Sequence, residues 1–280
     1  MQTKRFAYIQ MKASQPIGIF DSGIGGLTVA NAIRKVLPNE RIIYFGDTAH
    51  MPYGDKSPEA IKYYSLKIGQ FLKMQGCKVI VIACNTASSL GFNDLKEFMA
   101  DEVPVFNVID PVIAFTANNE SYRKVGVIAT KATIRSNVYE KKLKEHNPNL
   151  QVHSLATPLL APMIEEGFFD DSISETVINS YLSSPKLKNI DALILACTHY
   201  PLIKQEIESF FNNKVDILNT ASIVADNIKK QLEMMDMLNT QQTEGKDEFY
   251  VSDLTPSFES STRIFFGNKI SLIQKNIWEK

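Results

Sequence analysis

The sequence predicts an α/β fold of two pseudo-symmetric domains, each a parallel sheet flanked by helices, packed around a cleft. Three observations carry this expectation. Short apolar runs alternate with longer amphipathic stretches along the 280 residues, as strands and helices do in parallel sheets. The runs are continuous in Val, Ile, Leu and Ala, as in strands covered on both faces. Two pairs of phrases also repeat: 17-IGIFDS-22 with 125-VGVIAT-130, and 80-IVIACNT-86 with 193-LILACTH-199. The first interval, Gly18 to Cys84, is 66 positions and the second, Gly126 to Cys197, is 71, so the chain reads as two related halves.

The apolar runs place strands at 17–20, 41–46, 79–83, 104–109, 125–129, 151–156, 192–196 and 215–219. A ninth, 249–253, follows the polar loop 239–248. The amphipathic stretches place helices at 27–37, 58–76, 90–100, 132–146, 172–184 and 201–211. Pro201 suits a first helical turn, where a missing N–H costs nothing, and Gly76 suits a C-terminal stop. Residues 1–13 are expected to be an N-terminal extension. Residues 14–108 with 221–280 form the first expected domain, and 109–220 the second.

Composition narrows the function. Lys plus Arg is 30 and Asp plus Glu is 31, so no basic excess points to nucleic acid or an anionic membrane. No apolar run approaches the roughly 20 residues of a membrane-spanning helix. The first 15 residues lack the apolar core of a signal peptide. Three cysteines, Cys77, Cys84 and Cys197, are too few and too odd a number for a disulfide framework, which fits the reducing cytoplasm.

Cys84 and Cys197 each stand where an apolar strand ends and a polar helix start begins. Ligands of open α/β sheets bind beyond such strand ends. The free N–H groups of a helix start favour an anion there, which lowers a thiol pKa from about 8.5. One such cysteine alone reads more simply as buried packing. Two in matched contexts point to chemistry. A disulfide does not suit the compartment, zinc lacks a third Cys or a nearby second His, and nucleophilic hydrolysis needs only one thiol. Proton transfer at a stereocentre fits best, because two similar acid/base groups on opposite faces serve both directions. Cys77 precedes its strand, at the opposite end from Cys84, and reads as structural.

Asn85 and Thr86 beside one thiol, and Thr198 and His199 beside the other, offer donors for a substrate carboxylate. His199 can also tune Cys197. Asp21 and Ser22 open 20-FDSGIGG-26, whose glycines permit a tight turn but lack the dinucleotide-binding spacing. Asp21 reads either as a partner for Cys84 or the substrate ammonium, or as a helix cap. Tyr53 and Gly54 are expected to line the cleft, whereas Asp47 and Asp55 read as caps or turn residues.

Taken together, 17-IGIFDSGIGGLTV-29, 44-YFGDTAHMPYG-54, 79-VIVIACNTAS-88, 125-VGVIATKATI-134 and 193-LILACTHYPL-202 resemble the glutamate racemases, within the aspartate/glutamate racemase superfamily. The resemblance implies interconversion of L- and D-glutamate with no cofactor and no metal, supplying D-glutamate for bacterial peptidoglycan. It implies that Cys84 and Cys197 are the acid/base thiols, with Cys197 taking the proton from L-glutamate and Cys84 returning one. Implied substrate contacts are Asp21, Ser22, Tyr53, Gly54, Asn85, Thr86, Thr198 and His199, with Thr130 and Thr133 as further contacts. Glu165, in 162-PMIEEGF-168, is implied to orient His199. Glutamate is the one partner implied, and oligomeric state, a homodimer included, stays open. Three phrases depart from the family pattern: 156-ATPLLAP-162, 106-FNVIDP-111 and 217-ILNTAS-222. They bear on cleft shape, regulation and dimer contacts, and none removes an implied catalytic residue. Two competing readings are an aspartate or other amino-acid racemase, and a non-enzymatic bilobal ligand-binding protein with silent thiols.

Overall fold

The computed structural model describes residues 13–169, 172–241, 245–267 and 270–278. Apart from residue 13, the expected N-terminal extension lies outside the described residues. Ten strands follow in chain order among them: β1 (Ile17–Asp21), β2 (Ile42–Gly46), β3 (Val79–Ile82), β4 (Val105–Asn107), β5 (Lys124–Ala129), β6 (Gln151–Ala156), β7 (Ala192–Ala196), β8 (Asp216–Leu218), β9 (Glu248–Val251) and β10 (Leu272–Gln274). The helices are α1 (Leu27–Val36), α2 (Pro58–Met74), α3 (Asn85–Leu90), α4 (Phe92–Met99), α5 (Asp110–Ala117), α6 (Lys131–Arg135), α7 (Val138–His146), α8 (Leu160–Glu165), α9 (Ser172–Leu182), α10 (Lys204–Phe210), α11 (Thr220–Met234) and α12 (Pro256–Phe266).

The strands make two sheets, one of six in the order β10-β9-β2-β1-β3-β4 and one of four in the order β6-β5-β7-β8. Every pairing is parallel. This is the expected α/β class, and the repeat is visible in register. Gly18 on β1 pairs with Ile80 on β3, and Gly126 on β5 pairs with Leu193 on β7. Both glycines are there for space. A Cβ on Gly18 would lie 3.0 Å from Cys77 Sγ, and one on Gly126 would lie 2.8 Å from Leu193 Cδ1. β1, β2, β3 and β7 are buried along their whole length, as their unbroken apolar runs require.

Several boundaries differ from expectation for local reasons. The helix expected at 90–100 begins at Asn85 and breaks at Gly91, where a Cβ would meet Ser65 Oγ at 2.5 Å. The helix expected at 132–146 breaks before Asn137, which takes a left-handed φ of 56° that Asn tolerates. The helix expected at 201–211 starts as a 3₁₀ turn, Tyr200–Ile203. α5, α8, α11 and α12 fall outside the expected helix ranges, and the α5 run is apolar on nearly all sides and shows little helical period. β10 adds a three-residue strand, too short for any pattern.

The chain after β8 packs back on the first sheet's helices. α11 lies along α1, and β9 and β10 extend the six-stranded sheet beyond β2. A buried ion pair fastens this return. Lys78 Nζ lies 2.5 Å from Glu40 Oε2 and also donates to Met237 O at 2.8 Å and Ala13 O at 2.6 Å. Glu40 Oε1 accepts from Asn239 N at 2.9 Å. No helix among the described residues is long and apolar enough to cross a membrane.

Candidate active site

The carboxyl ends of β1 and β3 face those of β5 and β7, and a narrow cavity of about 40 Å³ lies between. Its lining includes Ser22, Tyr53, Gly54, Cys84, Asn85 and Thr86 from the first half. From the second half come Thr130, Glu165, Cys197, Thr198 and His199. Asp21 and Thr133 stand immediately behind this wall. Sequence reasoning passed over Met51, Pro52, Ala161 and Pro162, which also line it. Their neighbours Tyr53 and Glu165 were the available signal.

Cys84 leaves β3 in extended conformation and caps α3, its Sγ accepting from Ala87 N at 3.4 Å. Ser22 Oγ lies 3.6 Å away. Across the cavity, Cys197 follows β7 and its Sγ lies 3.6 Å from His199 Nδ1. His199 Nε2 in turn lies 2.7 Å from Glu165 Oε1, at the end of α8. Both thiols are free and nearly buried. Behind Cys84, Asp21 is fully buried; its Oδ2 accepts from Gly23 N at 3.2 Å and Gly26 N at 2.9 Å. Asp21 thus holds the turn before α1 without capping the helix itself, whose N-cap Gly26 has no side-chain cap hydrogen bond.

The two halves touch directly around the cavity. Thr86 Oγ1 lies 2.9 Å from Thr130 Oγ1 and 3.2 Å from Thr133 Oγ1. Thr28 Oγ1, on α1, donates to Thr198 O at 3.0 Å. Tyr139 on α7 donates to Asn85 Oδ1 at 2.6 Å. Gly25 packs against the His199 ring so closely that a Cβ would lie 2.4 Å from its Cε1.

This geometry can be set against known proteins. The family model for Asp/Glu/Hydantoin racemases matches residues 27–228. The chain belongs to that family. A glutamate racemase of Chlorobaculum parvum is 40% identical over 261 residues, covering 93% of this chain and 96% of that protein. A glutamate racemase structure from Francisella tularensis subsp. tularensis, in complex with D-glutamate, has TM-score 0.88 and 39% identity, covering 95% of this chain and 99% of that one. A glutamate racemase isoform from Bacillus anthracis has TM-score 0.88 and 36% identity, covering 93% of this chain and 97% of that one.

Electrostatics move Cys84, His199 and Asp21 away from their ordinary values. Burial, with the nearby Asp21 carboxylate, pushes the Cys84 thiol up to about 12, although Ala87 N–H and Ser22 act to lower it. The helix start therefore acts in the expected direction, but the lowered thiol pKa expected from the sequence is reversed by desolvation. At His199 burial disfavours the cation, yet the hydrogen bonds and charges of Cys197 and Glu165 outweigh it and hold the imidazole well above its ordinary value. Burial raises the Asp21 carboxyl, countered by His199 and the Gly26 and Gly23 N–H groups.

Asp47 does more than the turn role expected of it. Its buried carboxylate accepts from Tyr53 OH at 2.7 Å and Ser252 Oγ at 2.8 Å, with His50 Nδ1 at 2.9 Å. It thereby ties the cavity wall at Tyr53 to the end of β9. Asp55 is exposed and pairs with Lys131 at 3.4 Å. Cys77 is buried against Gly18, away from the cavity. Among the described residues no group of three His, Cys, Asp or Glu gathers to hold a metal ion.

Proposed function

We propose that this chain is a glutamate racemase that interconverts L- and D-glutamate by two-thiol proton transfer without an added cofactor. The observation that carries the reading is the pair of free thiols, each at a strand end of its own sheet, lining one small cavity. Similarity to glutamate racemases over more than nine-tenths of the chain supports the choice of substrate. Unpaired cysteines fit a cytoplasmic enzyme. We divide the chain into 14–108 with 221–280 and 109–220, a division supported by the membership of the two sheets.

The proposed chemistry follows from the asymmetry at the two thiols. His199, whose imidazole is held well above its ordinary value, stands beside Cys197 with Nδ1 3.6 Å from its Sγ. Cys84 keeps its proton. In the L-to-D direction Cys197 takes the α-proton on one face, the electron pair remains on the α-carbon, and Cys84 delivers its proton to the other face. The product state has a Cys197 thiol and a Cys84 thiolate, which is the starting state for the reverse reaction. In this reading N–H groups of the α3 start, with Asn85, Thr86 and Thr198 from the cavity lining, hold carboxylates and stabilise charge spreading from the α-carbon. The narrow cavity between the two halves then keeps bulk water from the proton transfer.

Incubation with L- or D-glutamate in deuterated water tests the reading. α-Deuterium incorporation with inversion is expected, and its absence across the pH range overturns it. Cys84→Ser and Cys197→Ser are each expected to lower racemisation by about a factor of 10²–10⁴. Undiminished turnover by either variant removes the two-thiol mechanism.

A further inference from the structure

Asn85 occupies the first turn of α3, next to Cys84, and lines the cavity. A carboxamide has one accepting end and one donating end, and rotation by half a turn exchanges them. Facing a carboxylate, the NH₂ end attracts and the oxygen end repels. The orientation of Asn85 therefore decides whether it helps or hinders binding of an amino acid.

The structure sets that orientation from the opposite half. Asn85 Oδ1 accepts the 2.6 Å hydrogen bond from Tyr139, a residue of α7, which packs on β6 of the four-stranded sheet. The Tyr139 ring is buried, so water does not compete for this bond. Burial, with the charges of Cys197 and Asp110, keeps the phenol protonated and able to donate.

We propose that Tyr139 is a positioning residue, which by holding Asn85 Oδ1 turns the Asn85 NH₂ group toward the cavity as a donor to a substrate carboxylate. The proposal rests on the racemase reading above. It makes the donor a product of both halves: α3 carries it and α7 aims it. Carboxylate recognition is then complete only when the halves are together, so binding and closure are coupled.

Tyr139→Phe removes one oxygen and keeps the ring. Asn85 meets the carboxylate in the ground state and also the charge that spreads into it from the α-carbon, so KM for both enantiomers is expected to rise about tenfold and kcat to fall as well. In an Asn85→Ala background the same change is expected to have no further effect. Glutamate dissociation constants of the four proteins, measured by calorimetry, close this cycle whatever turnover remains. Unchanged binding in Tyr139→Phe, or an equal loss in the Asn85→Ala background, overturns the proposal. A second measurement needs no Tyr139 variant. The Asn85 side-chain amide resonances, assigned by their disappearance in Asn85→Ala, are expected to shift when D-glutamate is added to the wild type, and resonances indifferent to D-glutamate overturn it. Wild-type protein that neither binds nor exchanges glutamate removes the racemase reading itself. An active wild type with an unaffected Tyr139→Phe variant removes only the positioning role.

Discussion

Gly25 separates cleft geometry from chemistry, because it reacts with nothing and yet sets how closely the halves meet. Its backbone is one that any residue adopts, so alanine there adds a methyl group without backbone strain. That methyl would lie 2.4 Å from His199 Cε1 and 2.7 Å from both His199 Nδ1 and Thr198 Oγ1. Ordinary contact begins near 3.4 Å, so His199 and its half must withdraw by about 1 Å. His199 stands beside Cys197, so the displacement reaches the proton-transfer geometry. A misplacement of about 1 Å costs on the order of 10²-fold, or about 2.7 kcal/mol of transition-state stabilisation. Overpacking at one contact costs about 1–3 kcal/mol of stability, which leaves the protein folded at moderate temperature if its stability is ordinary. The assay is circular dichroism of L- and D-glutamate interconversion, run well below the variant's thermal midpoint. Wild-type kcat/KM in Gly25→Ala would refute the argument, since it would mean that the halves need not meet this closely for catalysis.

Two further outcomes follow from charge. Glu165→Gln removes a carboxylate that holds His199 protonated, so the His199 midpoint is expected to move to lower pH, read by NMR titration of the ring. Because the folded pKa of His199 lies above the unfolded value of 6.5, its stabilisation is full below about 6.5 and is lost as pH rises through the folded value; this high-pH loss should shrink in Glu165→Gln, and an unmoved midpoint argues against the His199–Glu165 pair. Glu40→Ala leaves Lys78 buried beside only backbone carbonyls and is expected to destabilise the fold by about 3–5 kcal/mol in urea unfolding, with a change under 1 kcal/mol counting against the pair as the anchor of the C-terminal return.

Periodicity worked well where burial was simple. Short apolar runs located β1 to β9, most plainly β1, β2, β3 and β7, which are buried throughout, whereas β6 is only partly buried. It failed for α5, which is apolar nearly all round and so carries no stripe, for β10, whose three residues hold no pattern, and for α8, α11 and α12, to which no helix range was assigned. It overran at Gly91 and Asn137 because those breaks answer to a neighbour's approach and to one residue's dihedral angle. In the cavity, motif-borne residues such as Cys84, Asn85, Cys197 and His199 were legible because each adjoins a strand end. Tyr139, Asp47 and Thr28 were not legible as site residues. A tyrosine inside an amphipathic helix looks like packing, an aspartate after a strand looks like a turn, and a threonine in a first helical turn looks like a cap.

By itself the sequence determined the alternation of strand and helix, the internal repeat, and the position of each thiol at a strand end, because all of these are local consequences of side-chain order. Only the tertiary structure decided that the repeats face one another, that Cys84 is pushed up while His199 is held charged beside Cys197, and that Asn85 is aimed by a tyrosine 54 positions away. The physical reason is that desolvation and hydrogen-bond partnership depend on what surrounds a group in three dimensions. A helix start favours a thiolate wherever it occurs, but burial at a closed interface outweighs it, and only packing creates that burial.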